Sequence, residues 1–177
     1  MPVLCLCRVH TIGTQDMFES EVSLNEFQLG LFEKMIPDID ESTLYQPGLG
    51  HGHPPVWLLG HLAMSADLGR MLFGKRPVRI EWIRTFGPGS TDTIAPDSSF
   101  SKETFCQAIR EQYRDLRGLA AEADPQAMKQ PTTFELFQGT AIQTVGHVVS
   151  HLLTSHFAFH LAQLSSCRRA AGHKALF

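Results

Sequence analysis

The chain reads as an all-α protein, a four-helix bundle with long crossover connections. Four long segments repeat their apolar residues at helical spacing, and three irregular stretches separate them: a Gly-, Pro- and Tyr-containing loop over 38–53, a crossover over 75–100 and a stretch over 126–139. Helix start and stop residues flank these segments, and no stretch alternates apolar and polar residues as a half-buried strand would. Its 177 residues suit one domain with a full core.

The first helix is expected from about Asp16 to Ile36, with an apolar band through Phe18, Val22, Leu24, Phe27, Leu29, Leu31 and Met35, and a stop at Pro37. Ser23-x-x-Glu26 has the form of a capping box and would start the helix later. The second helix begins at Pro54-Pro55, where a missing N–H costs nothing, and ends at Gly74. From Lys75 to Phe100 the helical period is lost, with Trp82 and Phe86 as apolar anchors that either pack on the bundle or wall a pocket. Ser101 caps a third helix whose stripe runs from Phe105 to Ala123, and Asp124-Pro125 stops it. After an irregular stretch, Thr140-x-x-Gln143 offers a capping box for a last helix ending near Arg169, with Gly172 closing it.

That last helix carries the chemistry. His147, His151, His156 and His160 stand in an otherwise apolar segment, and a buried imidazole needs a hydrogen-bond partner or a metal. His147/His151 and His156/His160 are both i, i+4 pairs, about 40° apart on a helix and able to grip one cation. The pairs themselves are about 180° apart, so either one pair faces a site and the other a neighbour or solvent, or the helix is kinked. Gln163 extends the face of His156 and His160 by a turn, and Phe157, Phe159, Leu161 and Leu164 surround it, so this is the ligand pair expected. Two imidazoles hold a divalent cation poorly, and His61, inside the apolar second helix, is the candidate third ligand.

The motif Trp57-x-x-Gly60-His61-Leu62, followed by His156-x-x-x-His160-Leu161-Ala162-Gln163 and Arg168-Arg169, resembles the DinB-like superfamily of four-helix putative metal-dependent hydrolases of the YfiT type. The resemblance covers about Met17 to Gly172, leaving residues 1–16 as an N-terminal extension and 17–177 as the domain. Two positions depart from the family pattern. Ala162 replaces a glycine, and His53 stands where an asparagine is expected, four residues before Trp57. The resemblance implies a divalent metal held by His61, His156 and His160, zinc or nickel. It also implies chemistry of the kind known in the family, including transfer to small bacterial thiols, isomerisation and hydrolysis.

The expected function is therefore that of a metal-dependent transferase or hydrolase, activating a low-molecular-weight thiol or water against an electrophilic small molecule. Gln163 is the candidate catalytic residue beyond the ligands, orienting a ligand histidine or a bound water, with a hydrogen bond elsewhere in the core as the alternative. Glu135 and Asp67 are acid–base candidates only by position, and Asp67 reads more simply as solvated. The rival reading is a non-catalytic, metal-binding, dimeric stress-response protein whose site is closed by His53 or His151 as a fourth ligand. A third reading has no metal and treats the histidines as hydrogen-bonded core residues.

Composition narrows the partners. A net charge of −3 with no basic run offers nucleic acid no footprint, and no segment reaches the roughly 18 apolar residues that cross a membrane. Cys5, Cys7, Cys106 and Cys167 match no disulfide framework or zinc motif, which suggests reduced thiols and a cytoplasmic setting. Arg168 and Arg169 read as partners of the helix dipole, His10, His51 and His173 as exposed, and the face of Gly146, His147, Ser150 and His151 as a homodimer contact or a packing surface.

Overall fold

The computed structural model describes residues 17–48, 50–91, 93–97 and 99–176, so residues 1–16, with Cys5, Cys7 and His10, lie outside the described residues. The described chain is helical, and its one β feature is an isolated bridge between Pro131 and Thr144. The long helices are α1 (Glu19–Met35), α2 (Pro55–Met71) and α4 (Lys102–Ala121). The last long helix is built from α6 (Val145–His151), a π-helical turn (Leu152–His156) and α7 (Phe157–Ala170). Short helices α3 (Trp82–Phe86) and α5 (Pro125–Met128) lie in the second and third connections, and two 3₁₀ turns lie in the first. Helix α1 packs against α4 and α7, and α2 packs against the same two, so each long helix has two neighbours around one core. Among the described residues no helix is long and apolar enough to cross a membrane.

Local chemistry places most of the boundaries. Pro37 sits in a 3₁₀ turn after α1, Gly74 takes φ +72° after α2, and Gly172 takes φ +92° after α7. The Ser101 hydroxyl accepts the Thr104 N–H at 3.1 Å and caps α4. Two start signals are not used. Helix α1 begins at Glu19, which leaves Ser23 and Glu26 inside it. The last helix begins at Val145, where the Thr144 hydroxyl accepts the His147 N–H at 3.2 Å, so the Thr140/Gln143 box stays in the loop.

The buried stripe of α1 also differs from the expected band. Leu24 and Phe27 are 50% and 64% exposed, while Phe18, Asn25, Phe32 and Met35 are buried. The helix is rotated to present Asn25, a polar residue, to the core. The reason lies across the interface, where Asn25 Nδ2 donates to the Leu153 carbonyl in the π turn at 2.8 Å. Its Oδ1 accepts from Arg117 of α4 at 2.9 Å. Arg168, expected to face the dipole, is instead buried and ion-paired with Asp38, which His173 also approaches at 3.5 Å. Asp67 is likewise not solvated. It is buried, paired with Arg70 at 2.7 Å, and accepts the N–H groups of Val78 and Arg79 at 2.7 and 3.0 Å, which folds the start of the crossover back onto α2.

An orphaned buried carbonyl costs about 1–3 kcal/mol. Asn25→Ala removes the donor to Leu153 and the acceptor for Arg117. Chemical denaturation is expected to show destabilisation of about 1–3 kcal/mol or more, and an unchanged midpoint would deny Asn25 its role in holding the π turn.

Candidate metal centre

The π turn resolves the phase problem of the four histidines. Five residues of α-helix would leave His156 about 140° from His151. With i→i+5 bonding the two come onto one side of the helix, and their rings are 5.4 Å apart, centroid to centroid. His156 and His160, one α turn apart, are separated by 4.6 Å. His151 thus does not lie opposite His156 and His160; it joins their side. His147 remains exposed, accepting the Gln143 N–H at 3.3 Å. The face once shared with His151 is met within the chain, by Glu21 hydrogen-bonded to Ser150 at 2.8 Å and by Met128 beside Gly146.

His61 reaches the same point from α2. Its Nε2 is 3.1 Å from His156 Nε2, and one nitrogen from each of His61, His156 and His160 lies within 4.8 Å of the other two. Two nitrogens bound tetrahedrally at ~2.0–2.1 Å stand about 3.3 Å apart, close to the His61–His156 separation. The opposite ring nitrogens fix two of the three tautomers. His61 Nδ1–H donates to the Phe86 carbonyl at 2.6 Å, and His160 Nδ1–H donates to Gln163 Oε1 at 2.7 Å, so in both rings Nε2 is the unprotonated nitrogen. His156 Nδ1 is buried with no hydrogen-bond partner. A convergent set of imidazoles, two of them with outer nitrogens tied to a carbonyl and an amide oxygen, could hold a divalent cation.

Phe86 can supply its carbonyl because Gly60 has no side chain. A Cβ on Gly60 would stand 2.6 Å from the Phe86 ring, which lies directly on α2. Trp82 and Phe105 hold that ring edge-to-face at 5.9 and 5.3 Å. Trp82 and Phe86 are therefore core anchors, and the crossover they pin is part of the centre.

Burial dominates the electrostatics. It pulls the His156 pKa down to about 2 and that of His160 down to about 3, reinforced by the neighbouring imidazoles. His61 is lowered for the same reason, opposed by its bond to Phe86. All three are neutral at pH 7, the form that ligates a metal.

The wider ring of residues separates into roles. Trp57 stacks between His53 and His61, at 4.2 and 4.5 Å, and donates its indole N–H to Ser90 at 2.9 Å. The indole thus lies between His53 and the three histidines. His151 Nδ1 is bonded to the Ser155 hydroxyl at 2.7 Å. Beside the centre is a cavity of about 240 Å³, with His61, His151 and His156 in its wall and Glu135 at its exposed edge.

A sequence profile of the DinB superfamily matches residues 26–164. The chain belongs to the DinB superfamily. No curated protein and no solved structure matches it. The matched span of this DinB-superfamily chain contains His61, His156, His160 and Gln163, the residues that converge in the structure.

Three participants were not foreseen: Asn25, the Phe86 carbonyl and Gly60 as its seat. A glycine directly before His61 was the one local signal of a close approach. The described cysteines, Cys106 and Cys167, are buried and free, with thiols pushed up to about 12 and about 11 by burial, so neither is a thiolate nucleophile at neutral pH. His51, expected to be exposed, is half-buried, with Nε2 3.9 Å from Cys167 Sγ.

The lowered histidine pKa values set a pH dependence for the metal-free protein. Unfolded histidines take up protons near pH 6.5 and the folded ones do not, so stability is complete above that value and falls as pH drops below it. The limiting slope is about 1.4 kcal/mol per pH unit for each histidine. Denaturation at pH 7.5 and 5.5 is expected to show the loss, and His160→Gln is expected to flatten it; a flat wild-type profile would contradict neutral buried imidazoles.

Proposed function

We propose that His61, His156 and His160 hold one divalent cation, zinc or nickel, and that the chain is a metal-dependent transferase or hydrolase acting on an electrophilic small molecule. The observation that carries this reading is the convergence of three neutral imidazole nitrogens, two with their outer nitrogens already engaged, beside an accessible cavity. Three protein ligands leave coordination positions open, as catalytic rather than structural sites do. When bound, such a cation lowers the pKa of a coordinated water or thiol and supplies a nucleophile near neutral pH.

The chain's own residues do the rest. The Phe86 carbonyl and the Gln163 amide hold His61 and His160 in the ligating tautomer, and Gln163 is thus a positioning residue. Apolar neighbours keep the imidazoles uncharged and limit water. A non-catalytic protein with a closed site would need a fourth ligand. The convergent set among the described residues has three members and Trp57 stands between His53 and His61, which favours the open site. Two buried free thiols fit a reducing compartment such as the cytoplasm.

Metal content by mass spectrometry, on protein purified without chelator or nickel affinity resin, is the direct test. About one divalent ion per chain is expected from a single three-histidine site, lost in His61→Ala, His156→Ala and His160→Ala. Gln163→Leu is expected to keep the site but weaken affinity about 10–100-fold, with Gln163→Glu recovering part of it. A metal-free wild type that also binds no added zinc or nickel would end the metalloenzyme reading.

A further inference from the structure

The cavity beside the three histidines has a one-sided chemistry. Met64 and Leu68 of α2, Val148 and Leu152 of the last helix, and Phe134 and Phe137 of the preceding loop supply apolar walls. His61 and His156 bring two metal-directed rings to the same space. Among the described residues no lysine or arginine lines it, and the one carboxylate on its wall is Glu135. The 3₁₀ turn Glu135–Phe137 forms its outer edge, with Leu136 63% exposed and Phe137 packed edge-on against His151 at 5.5 Å.

We infer that this cavity selects a compact apolar substrate of about one ring in size, bearing a single donor group for the metal and no second charge. The inference rests on the proposed cation, which would take the donor, and adds what the rest of the molecule must look like. Size follows from the volume. The cavity is about 240 Å³, whereas an apolar cavity of ~150 Å³ accepts benzene and drug-sized ligands need upwards of ~300 Å³. Charge follows from the walls. A second anionic group would be desolvated against leucine, valine and phenylalanine with no cationic partner, next to the Glu135 carboxylate. Polyhydroxylated bodies would likewise lose water, for which the wall offers few replacement partners beyond Ser65, Glu135 and His151.

Calorimetric titration of the zinc-loaded full chain with three hydroxamates isolates these features. Acetohydroxamate carries the metal-binding head alone, benzohydroxamate adds one ring, and 4-carboxybenzohydroxamate adds a charge to that ring. Benzohydroxamate is expected to bind on the order of tenfold or more tighter than acetohydroxamate through burial of the ring, and the carboxylate is expected to abolish that gain. Leu136→Glu, at an exposed position that leaves the core intact, is expected to reduce the ring's advantage without changing acetohydroxamate affinity. Equal affinity for all three compounds, or tighter binding of the carboxylate, would overturn the inference and leave the metal site standing. Failure of acetohydroxamate itself to bind would instead remove the open coordination position of the proposed function, and this inference with it.

Discussion

His151, His156 and His160 come to one side of the last helix because the five residues Leu152–His156 are wound with i→i+5 bonds, and that winding has to be supported from outside. A π turn loosens the regular ladder and leaves carbonyls in need of donors. Here the Thr154 hydroxyl takes the Ser150 carbonyl at 2.5 Å, and Asn25 takes that of Leu153. Asn25 is in turn held by Arg117, so α1 and α4 both act on the backbone of the fourth helix. The rotation of α1 that exposes Leu24 and Phe27 follows from the same requirement, since its core-facing stripe must include an amide.

The centre is consequently assembled from contacts of different range. His160 is oriented from within its own helix by Gln163, three residues on, and this relation travels with the helix wherever it packs. His61 is oriented by a carbonyl from the crossover, 25 residues away, which stays in place only while Phe86 rests on Gly60 among Trp82, Phe100 and Phe105. Asp67 anchors the first part of that crossover by accepting two of its backbone N–H groups. A long connection between helices is thus organised by one carboxylate at its start and an aromatic cluster further along.

What could be read from the sequence was what depends on neighbours in the chain. The all-α class, the stops at Pro37 and Gly74, the Ser101 cap, and the convergence of His61 with His156, His160 and Gln163 all rest on spacing, capping or motif. The π turn could not be read, because its residues have no composition that separates them from α-helix and its support comes from Asn25, 128 residues away. Arg168 and Asp67 were misjudged for a related reason. A charged residue on a helix is solvated by default, and only the fold brings Asp38 to the first and the Val78 and Arg79 amides to the second. The His147/His151 and His156/His160 pairs were separable on an ideal helix but not on this one.

The group that fixes His61 is a main-chain oxygen, and this alters how heritable change can reach it. No substitution at position 86 deletes that oxygen, so a scan of side chains would register Phe86 as a packing residue and miss its part in orienting the imidazole. The sequence can act on it only indirectly, by crowding it, and the nearest place to do so is Gly60, where any larger residue meets the aromatic ring. The Gly60-His61 dipeptide is therefore a single unit of information: one position supplies the ligand, and the other preserves the empty space that keeps the ligand correctly turned.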